Sequence, residues 1–337
     1  MIPNRLAALF LCFVLLFAAV PLPQAFAAPE DEDTGVCDTS GTGEEADSNG
    51  EETESESSSS GETDTQTPGA TNSDNVTAAA SGAPATNAEA ALLVSPDTGM
   101  VLYEKNADER RYPASTTKIM TALIVLENVT DLSETVTAQA SDFETLEADS
   151  SNAGIKEGET VTVEDLLYAL MLPSANEAAY MLARHVAGSY DAFVDMMNQR
   201  AEELGCTGTH FVNPCGLHDD NHYTTARDLY KIAYAAMQDE TFADIADTVQ
   251  WKMTTNFRNE YLMITTNELI RSSYQPYAYA YCKGIKTGNT SQAGNCFVGY
   301  AEYGDAKLYS VVMGCDSTSL EYSNLPSSFT DTKALRS

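Results

Sequence analysis

Apolar residues fall into three regimes along the 337-residue chain. Leu6 to Val20 is an unbroken apolar run. From residue 28 to about 87, large apolar side chains almost vanish. From Glu89 onward they return in periodic patterns, and the periods predict the elements. Ala91–Val94 and Met100–Tyr103 read as strands on either side of Pro96-Asp97-Thr98-Gly99, a hairpin with its turn. Ile119, Met120, Leu123 and Leu126 recur at helical spacing after the stretch PASTTK, so a helix runs from there with one face buried. Thr162 and Asp165 match the acidic form of a capping box ahead of the apolar helix VEDLLYALM. Pro173 interrupts that helix, and a second helical pattern begins near Glu177. Residues 191–204 and 226–237 are also helical by pattern. The stretch YAYCKGIKTGNTSQAGNCFVGYAEYGDAKLYSVVMGC reads as three antiparallel strands, with turns at Asn289–Gly294 and Tyr303–Ala306. Strands thus occur at both ends and helices between them. The pattern predicts a mixed α/β domain with one sheet built from both chain ends and a helical insert.

The ends change the picture of where this domain starts. Arg5, the apolar run and Ala25-Phe26-Ala27 together read as a secretory signal over residues 1–27, cleaved before Ala28. The run is short for a membrane span, and an uncleaved signal would act as a tether. Between residues 28 and 88 there are fifteen Asp and Glu and no Lys or Arg. Such a segment cannot bury enough surface to offset its chain entropy, so residues 28–87 are expected to form a disordered, self-repelling linker. The globular domain is expected over 88–337. The formal net charge of −32 argues against nucleic acid as a partner, because phosphates would be repelled.

Cysteine spacing does not match a zinc site. Cys206 and Cys215 flank a short loop and form the candidate disulfide of an exported chain. Cys296 and Cys315 sit in apolar strand-like runs and are expected as buried thiols. His218, Asp219, Asp220 and His222 look metal-like, but a loop of this kind is ordinarily solvated and locally hydrogen-bonded. No metal and no cofactor are expected. Tyr277, Tyr279 and Tyr281 alternate, which places them on one strand face, packed under a neighbouring element or touching glycan or peptide.

Candidate chemistry lies in three short motifs. Ser115 and Lys118 are three apart at a helix start, where side chains share a face. A lysine pressed against a core loses its proton more easily, and an amine beside a hydroxyl can activate it. Taken alone, the same residues also fit an ordinary capped helix start. Ser174-Ala175-Asn176 lies at the break between two helices, and Lys286-Thr287-Gly288 lies on a strand. The order S-x-x-K, S-x-N, K-T-G in one exported chain is the pattern of penicillin-binding proteins and serine β-lactamases.

The stretches PASTTKIMTAL, SSNAGIKEGETVTVEDLLYALMLPSANEAA, THFVNPCGLHDDNHYTTARDL and GIKTGNTSQAGNCFVGYA resemble the low-molecular-mass D-alanyl-D-alanine carboxypeptidases. The resemblance covers about Ala88 to Arg336. It implies the β-lactamase-like fold, a place in the bacterial cell envelope and a substrate that is a peptidoglycan stem peptide ending in D-Ala-D-Ala. It implies Ser115 as nucleophile, Lys118 as general base, Ser174 as proton carrier to the leaving amine, and Asn176 and Lys286 as supports. Thr287 and Lys286 would meet the terminal carboxylate. Gly288 would let substrate lie along the strand, and Asn289 would supply a backbone oxyanion donor together with Ser115. In the family that position is often aromatic or histidine, so Asn289 changes the side-chain contacts expected there. A serine β-lactamase is the rival, but the region THFVNPCGLHDDNHYTTARDL has no glutamate for fast deacylation. β-Lactams are therefore expected to acylate Ser115 and stay. A non-catalytic binding or antibiotic-sensing module is the more distant rival. No arginine occurs between Asp316 and Thr332, so Lys286 and Thr287 are expected to carry more of the carboxylate contact. The final helix is expected to be cut short, without the small β domain and membrane anchor of many relatives.

Overall fold

The structure is a computed structural model of the chain and describes residues 76–78, 85–147, 149–271, 278–316 and 327–336. The apolar leader, most of the acidic tract, Cys37 and Tyr277 lie outside the described residues.

The first hairpin forms as its pattern predicts: β2 (Ala90–Ser95) pairs antiparallel with β3 (Met100–Lys105). Before it, β1 (Val76–Ala78) pairs with β3, so the sheet begins inside the stretch expected to be linker. Three residues of Val-Thr-Ala in a polar tract carry no period, so backbone pairing is what defines this strand. A 3₁₀ turn at Ala114–Thr117 then leads into α1 (Lys118–Asn128). Every residue of α1 from Lys118 to Val125 is buried. A helix apolar all round belongs at the centre of a helical layer, and the others pack about it.

A short pair, β4 (Thr135–Thr137) and β5 (Thr160–Thr162), follows and was not visible in the pattern. Thr162 then caps α2 (Val163–Met171), accepting from the Asp165 N–H at 3.1 Å. The helix stops ahead of Pro173, and α3 (Asn176–Ala187) begins after a four-residue break. Next come α4 (Tyr190–Glu203), α5 (Ala226–Ala236) and α6 (Glu240–Asp247). Ser189, Thr225 and Asp239 cap them. A second small pair, β6 (Gln250–Met253) with β7 (Tyr261–Ile264), closes the insert.

The chain re-enters the main sheet as β8 (Cys282–Thr290), β9 (Gly294–Tyr303) and β10 (Ala306–Cys315), followed by α7 (Ser327–Leu335). The sheet order is β1-β3-β2-β10-β9-β8, antiparallel throughout. This is the sheet from both chain ends that the sequence predicts. Side-chain alternation splits the core. Val298, Tyr300 and Val311 pack with the helical layer, while Phe297 and Val312 pack with Phe329 and Leu335 of α7. Among the described residues no helix is long and apolar enough to cross a membrane.

Two features of this topology matter for function. β8 is an edge strand, so one row of its backbone groups is unpaired within the sheet. The start of α1 lies against that edge: a Cβ at Gly288 would come within 3.1 Å of the Ser115 nitrogen. Tyr279 and Tyr281 do not lie on a strand as expected. They precede β8 in a turn, their rings edge to face at 5.5 Å, with Tyr281 also packed on Tyr303 at 4.7 Å.

Candidate active site

Ser115 sits in the 3₁₀ turn and Lys118 opens α1, a refinement of the single helix expected from spacing. A 3₁₀ turn has three residues per turn, so side chains three apart eclipse one another. Lys118 Nζ therefore donates to Ser115 Oγ at 3.0 Å. The turn is entered through Ala114 at φ +48°, in the left-handed region that an alanine seldom adopts. Its other hydroxyls are tied inward, with Thr116 Oγ1 donating to the Pro113 carbonyl at 2.6 Å.

Lys118 is fully buried and makes two further bonds, to Asn176 Oδ1 and to the Cys215 carbonyl, each at 2.7 Å. The geometry has a chemical consequence. An ammonium has three donors and finds three acceptors here. A neutral amine keeps two N–H bonds to the closer acceptors, and its lone pair then faces Ser115 Oγ. Burial lowers the Lys118 pKa to about 8, against the opposing pull of Cys215 and Glu177. Lys286 is also buried and donates to the Thr287 carbonyl at 3.1 Å. Burial and then the Lys118 charge hold its pKa well below the ordinary lysine value.

Ser174 lies in the break between α2 and α3 at φ +65°, like Ala114 a non-glycine residue in the left-handed region. Its Oγ is buried with no hydrogen-bond partner. Thr287 and Thr266 share a 2.6 Å hydrogen bond between their hydroxyls, and Asn289 donates through Nδ2 to Asn295 Oδ1 at 2.7 Å. Ser115, Ser174, Asn176, Thr287, Gly288 and Asn289 all line one cleft of about 980 Å³. The structure thus gathers the eight residues singled out by sequence, with Lys118 and Lys286 buried behind the six that line the cleft.

Several functional neighbours had no sequence signal. Thr266 reaches the cleft from the loop after β7, where nothing in the pattern marks it. Cys215 enters through its backbone carbonyl, which any residue carries. The expected Cys206–Cys215 disulfide is not formed. Both are buried free thiols, with Cys206 Sγ near the Asp228 carbonyl at 3.6 Å. Burial pushes the Cys206 thiol up to about 12. Cys296 and Cys315 are buried free thiols as expected.

The loop with the metal-like pattern is solvated and locally hydrogen-bonded over residues 218–221, as expected, with the Asn221 N–H donating to Asp219 Oδ1 at 2.7 Å, while His222 turns inward. Among the described residues no group of His, Cys, Asp and Glu is placed to hold a metal ion. His222 is 2% exposed, and its Nδ1 accepts from the Val212 N–H at 3.2 Å. The proton is therefore on Nε2, which donates to Thr117 Oγ1 at 2.8 Å. One ring ties the turn that carries Ser115 to the loop that carries Cys215. Burial lowers the His222 pKa to about 3. The folded state then binds fewer protons than the unfolded chain between about pH 3 and 6.5, so folding stability falls as pH drops through that window. The expected slope from this one group is about 1.4 kcal/mol per pH unit. Urea denaturation from pH 7 to 4 should show it in the wild type and not in His222→Gln. Equal slopes would contradict the buried neutral imidazole.

Comparison with known proteins agrees with this geometry. The family model described as D-alanyl-D-alanine carboxypeptidase matches residues 76–317. The chain is 33% identical over 234 residues to D-alanyl-D-alanine carboxypeptidase DacF of Bacillus subtilis (strain 168), covering 68% of this chain and 58% of that protein. It is 37% identical over 233 residues to D-alanyl-D-alanine carboxypeptidase of Streptomyces sp. (strain K15), covering 65% and 78%. Among solved structures it is similar to the Streptomyces K15 DD-transpeptidase, with a TM-score of 0.67 at 33% identity, over 75% of this chain and 97% of that one. The chain thus spans about three fifths of the length of the Bacillus relative. Motif order, cleft and family match agree, and the chain belongs to the D-alanyl-D-alanine carboxypeptidase family.

Proposed function

We propose that this protein is a serine D-alanyl-D-alanine carboxypeptidase of the bacterial cell envelope, which removes the terminal D-Ala of peptidoglycan stem peptides through an acyl-enzyme on Ser115. The observation that carries the reading is the bonding of Lys118, whose amine reaches Ser115 Oγ while two oxygens fix its other hydrogens. Ser115 Oγ attacks the scissile carbonyl and gives its proton to Lys118. The new C–O bond forms a tetrahedral intermediate whose oxyanion accepts from the backbone N–H groups of Ser115 and Asn289. The close approach of Gly288 to the Ser115 nitrogen supports that pairing. The C–N bond then breaks, and the proton passes from Lys118 through Ser174 to the leaving amine of D-alanine. Water reverses these steps at the acyl-enzyme and frees Ser115.

Substrate binding follows from the same elements. The free edge of β8 suits an extended peptide, and the absence of a side chain at Gly288 leaves room for the turn that carries Ser115 to lie against that strand. Thr266 can donate to Thr287 Oγ1, which leaves the Thr287 proton for the substrate carboxylate. That carboxylate favours the charged form of Lys286, and a charged Lys286 in turn favours neutral Lys118. Binding of the correct C-terminus thereby prepares the base.

A β-lactam would enter by the same attack, but its leaving nitrogen stays tethered by the opened ring. Penicillins are thus expected as covalent inhibitors. No cofactor takes part in this scheme. The leader and acidic tract suit export, with the domain free in the envelope or held there by an uncleaved signal.

Two results test the reading. A peptide ending in D-Ala-D-Ala should release D-alanine with the wild-type protein and not with Ser115→Ala. Release that survives the substitution would sink it. The rate of acylation by penicillin should also rise with pH through about 8, because the base works only as the neutral amine. A rate that falls across that range would contradict Lys118 as the base.

A further inference from the structure

Glu177 follows Asn176 in the first turn of α3, and its side chain is 1% exposed. Its Oε1 accepts from the Ala153 N–H at 2.7 Å and from the Ile155 N–H at 3.4 Å. Its Oε2 is buried with no hydrogen-bond partner. On the same helix end the Asn176 N–H donates to the Ser151 carbonyl at 2.9 Å, while the Asn176 side chain accepts from Lys118. Segment 151–155 is therefore fastened to this helix start by three bonds. Ser150 and Ser151 form part of the cleft wall. One helix turn thus holds the wall with its backbone and Glu177, and the base with Asn176.

A buried carboxylate that makes no ion pair is costly unless a positive charge lies near. Among the described residues Glu177 has no ion pair within contact distance; burial holds its carboxyl above the ordinary carboxylate range, and the backbone N–H groups of Glu177, Ala153 and Ile155 and then the Lys118 charge pull it back toward the ionised form. The groups around Lys118 are few. Glu177 comes from α3, the Cys215 thiol and the neutral His222 from the loop before α5, and Lys286 from β8. Burial raises the pKa of the Cys215 thiol. Of these groups only Glu177 is a carboxylate.

We propose that Glu177 is a positioning residue for the Ser115–Lys118 pair: its carboxylate is the buried counter-charge of protonated Lys118, and the same group latches the cleft wall to the helix end that holds this lysine. The assignment rests on Lys118 acting as the base. It also gives each face of Glu177 a separate role. The charge sets the pH at which Lys118 becomes neutral, and the Oε1 contacts set the shape that substrate meets.

Two substitutions separate these roles. Glu177→Gln removes the charge and keeps an oxygen for Ala153 and Ile155. Glu177→Asp keeps the charge and withdraws the oxygen from both N–H groups. The experiment follows acylation by a fluorescent penicillin against pH and penicillin concentration, which yields the limiting rate and the non-covalent dissociation constant. With Glu177→Gln the acid limb of the rate should move to lower pH by about one unit, because the ammonium loses its counter-charge. Its dissociation constant should stay within about twofold of wild type. With Glu177→Asp the acid limb should stay in place and the dissociation constant should weaken by about tenfold. An acid limb for Glu177→Gln that coincides with wild type would overturn the counter-charge, and wild-type affinity in Glu177→Asp would overturn the latch. If circular dichroism shows Glu177→Gln unfolded, the Glu177→Asp arm decides alone. A folded wild type that is never acylated would overturn the carboxypeptidase reading and this assignment with it. A wild type that is acylated, with both variants matching it, would overturn this assignment alone.

Discussion

Lys118→Met is expected to slow acylation of Ser115 by about 10³-fold or more, while the protein stays folded. Methionine has nearly the length of lysine and no charge, so it fills the same buried channel. Two effects on stability then oppose each other. The Asn176 side chain and the Cys215 carbonyl lose their 2.7 Å donor. In exchange, the cost of holding a lysine at a pKa of about 8 disappears, which is on the order of 3 kcal/mol at neutral pH. The urea midpoint should therefore move little, and the catalytic loss cannot be ascribed to unfolding. Lys118→Arg should be as inactive as Lys118→Met. A guanidinium keeps its proton at any pH the protein tolerates, so it has no lone pair to offer. Arginine activity above a tenth of wild type would contradict base catalysis at this position.

Gly216→Ala is expected to destabilise the fold by about 3 kcal/mol or more and to abolish acylation. Gly216 has φ +87°, where an L side chain is strained. A Cβ there would stand 1.9 Å from the Ala114 carbonyl oxygen and 2.9 Å from Thr117 Oγ1. Neither group can yield freely. Ala114 is the residue before Ser115, and Thr117 is held by His222. The turn bearing Ser115 or the loop bearing Cys215 must move, and both hold Lys118. Gly99→Ala is the matching control. It also has positive φ, at +67°, but a Cβ there meets nothing within 4 Å. It should cost only about 1 kcal/mol and leave acylation unchanged. Urea denaturation of both variants checks this. Equal losses would mean that backbone strain, and not the contact with the Ser115 turn, sets the effect.

The difference between these two glycines shows what can be read from a sequence. Both look like turn residues, and only the fold places one of them against the turn that carries Ser115. The elements that were legible had a period or a cap. The β2–β3 hairpin, the Thr162 cap, the break at Pro173 and the three strands β8–β10 each follow from a local rule. The small pairs β4–β5 and β6–β7 have three and four residues per strand, too few for alternation to register. Helix α6 is eight residues long, about two turns, too short for a helical period to stand out. The strand β1 exists through pairing with β3.

The site divides the same way. Ser115, Lys118, Ser174, Asn176 and Lys286 through Asn289 were legible because the proposed chemistry requires those residue types in that order, and the fold gathers them at one cleft. Thr266 was not, since a threonine after a short strand has many ordinary uses. His222 was misplaced because its loop is polar and its neighbours Asp219 and Asp220 are exposed. It is packed on Phe211 of the same loop and bonded to Thr117, which is distant in the chain. Cys206 and Cys215 were paired by proximity in sequence, whereas each thiol has its own buried surroundings. Glu177 follows directly after the S-x-N motif, where the pattern marks only the beginning of a helix, yet it is buried with one oxygen unpartnered.

The central claim is that Ser115 is a nucleophile activated by Lys118. Its most direct test is intact-mass measurement of the protein after incubation with a penicillin, followed by peptide mapping of the adduct. The account predicts one long-lived penicilloyl group per chain, located on Ser115, absent from Ser115→Ala and slow to form in Lys118→Met. A folded protein that gains no mass, or an adduct that persists in Ser115→Ala, would contradict it.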